Sequence, residues 1–331
     1  MSDDLDEREL DALHAKLSVL AHDAPLRELP ARPLVKHRPW TLPTIGVGVS
    51  AAAVAFVWFG ATHRAATGPC VGAHGFAFSL TAGSMTCGGQ RAVAGDLPVG
   101  QWLETTSDDA TANLALGGIG QIALHGPTKL RISMTSPTQQ RLELASGAIT
   151  AKVSAPPRLF VVDTPTSTAV DLGCEYELST APGVGTTLKV TKGAVSLESK
   201  RGALYVPATY SVTGDGLPVY EHATDKVRIF AKSVGQEDLS RPAGDPTRLP
   251  VRPIVQQLAD AAGPRDRVTL WNAINRTDGN DRAALVARLE QLAPLPDPAL
   301  HAKVLAGDAD AMDIWLDVFV DRGALAHDKR H

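Results

Sequence analysis

From Thr41 to Thr62 the chain reads TLPTIGVGVSAAAVAFVWFGAT, 22 residues without a charge. A helix rises 1.5 Å per residue, so about 20 apolar residues cross a hydrocarbon core about 30 Å thick. The segment therefore has the length of one membrane crossing. Trp40 precedes it, and Trp58 and Phe59 stand near its far end, where amphipathic rings meet the headgroups. Pro43 falls in the first turn, where it removes no helical hydrogen bond. Apolar residues cover every face, unlike the single stripe of a surface helix; a helix buried in a protein core is the competing reading. A cleaved signal peptide would need a short leader and an apolar run of about 7–15 residues. Here Thr41 is preceded by a 40-residue tail, so the span reads as an uncleaved anchor. Arg32, Lys36 and Arg38 lie before it and Arg64 alone follows closely, which places the N-terminus in the cytoplasm by the positive-inside rule. The chain is thus expected to cross a bacterial inner (cytoplasmic) membrane once, with its bulk in the periplasm.

The tail, residues 1–40, opens acidic and places Leu5, Leu10, Leu13, Leu17 and Leu20 on one stripe of an amphipathic helix. Carboxylates in the first turns suit the positive helix N-terminus. An isolated helix with one apolar stripe has no core of its own to join, so it needs a partner, a second copy or the membrane surface. Its acidic start favours a protein partner over anionic lipid. Pro25, Pro30 and Pro33 then make a stiff connector.

Beyond the span, residues 63–95 read as a linker and the start of the outer region, with residues 63–75 rich in Gly and Ala. From there the period changes. Short runs such as Gln121-Ile-Ala-Leu, Lys129-Leu-Arg-Ile, Arg141-Leu-Glu-Leu and Thr187-Leu-Lys-Val alternate apolar and polar residues between Gly, Pro and Asp. This is the pattern of a short-stranded β-sandwich or a solenoid-like stack, expected over residues 96–235. The sequence holds 29 Gly and 23 Pro, consistent with many turns. Gly117, Gly126, Gly147, Gly173 and Gly193 stand at strand ends, where a missing Cβ permits positive φ. Residues 245–331 turn helical: Pro253 opens one segment, Val268 to Ile274 carries Trp271, Leu285, Leu289 and Leu292 share a face, and Ala311 to Val320 carries Trp315. They make a small C-terminal α-helical module, either a packing appendage or a partner-binding element.

The order of motifs in the β region resembles the FecR domain, found in the periplasmic parts of transmembrane sensors and anti-sigma regulators. Gly100-Gln-Trp-Leu-Glu-Thr is similar to the family's opening, and Ala112 to Leu124 to its first hairpin. Leu142-Glu-Leu-Ala-Ser-Gly147-Ala-Ile resembles its L-x-L-x-x-G-x-L repeat, and Leu159-Phe-Val-Val-Asp-Thr164-Pro165 its F-x-V-x-T-P strand and turn. Val170 to Leu178, with Gly173, Cys174 and Tyr176, takes the place of V-x-x-x-G-T-x-F-x-V, and Thr187 to Leu197, with Gly193, resembles the closing repeat. Cys174 and Tyr176 stand where the family has Thr and Phe, and the tail is about half the length of a typical cytoplasmic anti-sigma domain. The resemblance implies regulation, with a sigma factor as the cytoplasmic partner and an envelope protein or polymer outside.

Three cysteines all follow the apolar span. Cys70 and Cys87 flank a 16-residue segment, and a disulfide there would close a loop in an oxidising periplasm; two free thiols are the alternative. Cys174 sits in an apolar strand with no base in view and reads as a buried thiol rather than a nucleophile. Among ten histidines, His327 and His331 form the single H-x-x-x-H pair, at the chain end and without a third ligand, so no metal and no cofactor are expected. His125, next to Gly126 and Pro127, reads as a turn residue. Asp108-Asp109 and Glu175 with Glu177 read as solvated pairs rather than acid/base machinery. Lys+Arg of 32 against Asp+Glu of 36 gives a net charge of −4, which argues against direct nucleic-acid binding. The chain is thus expected to be no enzyme but a single-pass signalling protein, or alternatively a membrane-anchored structural or interaction module of the cell envelope.

Overall fold

The computed structural model describes residue 70, residues 75–237 and residues 250–320. The expected cytoplasmic tail, its leucine stripe Leu5, Leu10, Leu13, Leu17 and Leu20, and the uncharged span 41–62 lie outside the described residues. No helix among the described residues is long and apolar enough to cross a membrane. The described chain is mainly β, with a helical C-terminal region and no closed barrel.

The strands are β1 (Gly75–Ala82), β2 (Met85–Cys87), β3 (Gln90–Arg91), β4 (Ala94–Pro98), β5 (Trp102–Thr105), β6 (Thr111–Ala115), β7 (Gly120–Thr135) and β8 (Gln140–Val153). There follow β9 (Phe160–Asp163), β10 (Thr168–Asp171), β11 (Glu175–Ala181), β12 (Gly185–Lys192), β13 (Ala194–Ser199), β14 (Gly202–Pro207), β15 (Tyr210–Thr213) and β16 (Val219–Tyr220). All pairings are antiparallel except β8 with β9. The long β7–β8 hairpin is shared between two runs of strands. The start of β7 and the end of β8 pair with β6 and β11. The end of β7 and the start of β8 pair with β5 and β9.

The hairpin changes neighbours where its register slips. Leu142 and Leu144 are buried before the slip, and Ile149, Ala151 and Val153 after it, so the inward parity of β8 switches across Gly147. A one-residue slip exchanges the two faces of a strand, and a bulge is the device that permits it. Gly147 serves this with φ of 94°, a conformation L side chains rarely adopt. Gly126, opposite, does not have positive φ. A Cβ there would run into the Ser107 carbonyl oxygen, so its smallness serves close approach instead.

The helices are α1 (Asp225–Gln236), α2 (Pro253–Ala261), α3 (Arg267–Ile274), α4 (Gly279–Leu292), α5 (His301–Ala306) and α6 (Ala309–Phe319). The sequence reading extends the β region through residue 235 and misses α1. The helix is marked by Thr224, whose side chain accepts from the Val227 N–H, and by the buried stripe Val227, Ala231 and Val234. Pro253 begins α2, where its lost N–H would have had no helical partner. Asp308 caps α6 by accepting from Ala311 N–H at 2.8 Å.

One hydrophobic cluster runs from Phe78 through Leu178 and Val212 to Leu270, Leu289 and Trp315. The helices therefore close the β region's own core. Polar seams fix the junction. The Asn272 side chain accepts from Tyr205 N–H at 2.9 Å and donates to the Tyr205 carbonyl at 3.0 Å, so α3 occupies both backbone groups of the edge strand β14. Thr269 donates its hydroxyl to the Pro218 carbonyl at 2.7 Å. Within the helices, the indoles of Trp271 and Trp315 donate to the Met312 and Ala293 carbonyls, each at 2.9 Å.

Candidate functional site

The residues singled out in the β region fall into two clusters and a bend. At the β9–β10 turn, Thr164 donates to the Ser167 carbonyl at 2.8 Å and accepts from Ser167 N–H at 3.0 Å, a side-chain-closed turn. Its hydroxyl and that of Thr166 lie 2.6 Å and 2.8 Å from the buried Thr186 hydroxyl. Pro165 and Thr166 line a cavity of about 480 Å³ with Ser146, Thr180 and Pro182. Ser146, Thr180 and Pro182 also border a second hollow of about 520 Å³ around His125 and Thr128. His125 lies within β7 rather than in a turn, its ring 2.8 Å from the Thr150 hydroxyl. These walls offer hydroxyls, backbone groups and the His125 ring to a ligand.

The second cluster joins the β10–β11 turn to β13. Asp171, wholly buried, accepts from Gly173 N–H and from the Cys174 thiol, each at 2.6 Å. Gly193 packs over this turn so closely that a Cβ there would meet the Gly173 carbonyl oxygen and stand 3.0 Å from Cys174 Cα. Burial raises the Asp171 carboxyl to about 6, countered in part by the thiol and backbone donors. Burial, together with the neighbouring Asp171, pushes the Cys174 thiol far up. A thiol so protonated is no nucleophile. Tyr176 is fully buried two residues on, and its hydroxyl has no hydrogen-bond partner among the described residues. Burial first, then Cys174 and Asp171, raises this phenol well above its ordinary value. Glu175 and Glu177 point away from Tyr176, toward solvent.

Asp171 was not singled out by sequence reading. The signal was there: an acid two residues before Gly173 is the spacing of an Asx turn that captures the following backbone N–H. Gly147, in the bend of β8, lines the hollow around His125 and Thr128 and packs against Thr128. Cys70 and Cys87 are joined as a disulfide with Cα atoms 6.1 Å apart, and Cys174 is free and buried. No group of three or more His, Cys, Asp or Glu side chains is arranged to hold a metal ion among the described residues. Asp108 and Asp109 are exposed in the turn before β6.

Residues 103–196 match the family model described as FecR protein, spanning β5 to β13. No curated protein matches the chain. Two crystal structures from Parabacteroides distasonis ATCC 8503, both described as a candidate anti-sigma factor, are similar over part of the fold. One, at 2.50 Å resolution, is 13% identical with a TM-score of 0.32, covering 36% of this chain and 59% of its own. The other, at 1.65 Å resolution, is 15% identical with a TM-score of 0.28, covering 38% of this chain and 57% of its own. The similarity thus spans less than two thirds of those chains.

Proposed function

We propose that this chain, which carries a FecR domain at residues 103–196, is a regulatory signalling protein of the bacterial inner membrane. The FecR match is the observation that carries the reading. In it, residues 41–62 cross the membrane once, residues 1–40 lie in the cytoplasm, and the β domain with its helical end lies in the periplasm as a short-stranded sandwich that senses a partner or envelope state. The joined Cys70 and Cys87 support an oxidising compartment for that region. The buried, protonated Cys174 supports a role other than catalysis. A single helix transmits by a change of association, tilt or susceptibility to proteolysis. The leucine stripe of the tail then presents the signal to a cytoplasmic regulator, a sigma factor.

The test is to capture the full-length protein from its native membrane, with and without Leu10→Ala, Leu13→Ala and Leu17→Ala together. Recovery of a sigma factor with the wild type and its loss with the triple variant is the expected result. Equal recovery from both, or none from either, refutes the tail as the output and returns the chain to an envelope interaction module.

A further inference from the structure

A cleft of about 500 Å³ opens where the β region meets the helices, between the β13–β14 turn, the end of α1 and the α3–α4 connection. Its wall carries Lys200, Arg201, Arg276 and Arg282 against two carboxylates, Glu237 and Asp278. The three guanidinium groups come from three different places in the chain, and main-chain carbonyls do much of the work of holding them. Arg282 donates from Nε to the Ile274 carbonyl at 3.3 Å and from Nη1 to the Leu305 carbonyl at 3.2 Å. Arg276 donates from Nη1 to the Asp215 carbonyl at 3.2 Å. Arg201 donates to the Glu237 carbonyl at 3.0 Å and pairs with the Asp215 carboxylate at 3.4 Å. A carbonyl fixes a guanidinium without cancelling its charge, so Lys200, Arg201, Arg276 and Arg282 still outnumber the Glu237, Asp278 and Asp215 carboxylates beside them by one.

Two further observations point to a ligand. The Arg276 Nε is buried and has no hydrogen-bond partner among the described residues, although a buried donor left unpaired is costly. Asp278 precedes α4 and Arg282 lies in its first turn, so the start of a 14-residue helix borders the same space, its positive end shared with Asp278 and Asp281. Partial burial lowers Arg276 and Arg282 below the ordinary arginine value; Asp215 opposes this at Arg276, where Arg201 adds to it, and Asp278 opposes it at Arg282. These are the conditions in which an anion is welcome.

We infer that the cleft is a binding site for a compact phosphate-class oxyanion, held by the open edge of Arg276 with the charges of Arg201 and Arg282 beside it. Planar guanidinium groups present paired donors that match phosphate oxygens two at a time. The volume, about 500 Å³, admits an inorganic phosphate, a diphosphate or the phosphate headgroup of a lipid with room for water.

Isothermal titration of the full chain in phosphatidylcholine nanodiscs tests this, with inorganic phosphate and pyrophosphate as free probes and phosphatidylglycerol vesicles, free of detergent, as the membrane-borne one. Saturable binding of any of them, weakened roughly tenfold or more by Arg276→Gln and by Arg201→Gln but unchanged by Arg158→Gln on the remote surface, is the expected result. Binding of the free probes assigns a soluble ligand, and binding of vesicles alone assigns a lipid headgroup. Far-ultraviolet circular dichroism and the fluorescence of Trp271 and Trp315 show whether each variant is folded. If Arg276→Gln fails to fold, Arg201→Gln, on an exposed turn, decides the matter. No binding by the wild type, or wild-type affinity in a folded Arg201→Gln variant, overturns the assignment.

Discussion

At Asp171 the fold places a carboxyl wholly out of water and gives it two short donors, Gly173 N–H and the Cys174 thiol. Those bonds do not repay the lost hydration in full, and the group is raised from 3.8 to about 6. Between those two values the folded chain holds more protons than the unfolded one, so stability falls as pH rises through this window. Ionised Asp171 thus costs stability at neutral pH, by about 3 kcal/mol at 1.36 kcal/mol per unit. Asp171→Asn removes the titration while keeping an acceptor. Urea unfolding should show the variant gaining on the wild type by about that amount between pH 4 and pH 7. A difference that does not change with pH would show that Asp171 is not the group responsible. The sequence shows the acid and the turn, but not the burial. That is imposed by β9 and β13 pairing on either side of β10. The positive φ of Gly147 was legible in the sequence, but its place was not: the sequence reads Gly126 and Gly147 as strand ends, and the structure puts them inside β7 and β8, where the bulged hairpin continues past them.

At the scale of elements, the exposed edge of a sheet is a hazard, since unpaired N–H and C=O groups invite another strand. Here β14 ends one side of the sheet, and the Asn272 side chain of α3 takes both backbone groups of Tyr205 as a strand would. Asn272→Ala should cost about 1–3 kcal/mol, the penalty for leaving such groups unpaired, and should speed amide exchange at Tyr205. Exchange unchanged from the wild type would show that other contacts cover the edge. The sequence reading finds α2, α3, α4 and α6 from their apolar period and their Pro, Gly and Asp breaks. It misses α1, whose buried stripe Val227, Ala231 and Val234 is brief and follows directly on strands. Nor does periodicity reveal the parallel pairing of β8 with β9, which depends on where the chain returns after a turn rather than on any local pattern.

Across the whole described molecule, a single core ties the β region to the helices, and the Cys70–Cys87 bond fastens the chain ahead of β1 to β2. Closing a loop with a sequence separation of 17 stabilises by about 3 kcal/mol on the chain-entropy estimate. Replacing both cysteines by Ala should lower the midpoint of thermal unfolding and make it insensitive to added reductant, whereas the wild type should drop when reductant is added. If the wild type ignores reductant, the bond contributes nothing to stability. The amino-acid sequence alone was enough to read a mainly β region with FecR-like motif order, a helical end and a cysteine pair, because strand period, turn residues and spacing are local properties of a chain. Tertiary structure alone decided that Asp171 and Tyr176 are buried, that an asparagine closes a sheet edge, and that Arg201, Arg276 and Arg282 share one cleft. Burial and electrostatic proximity are sums over neighbours, and here some of those neighbours lie far apart in the chain, as Tyr205 and Asn272 do at a separation of 67 residues.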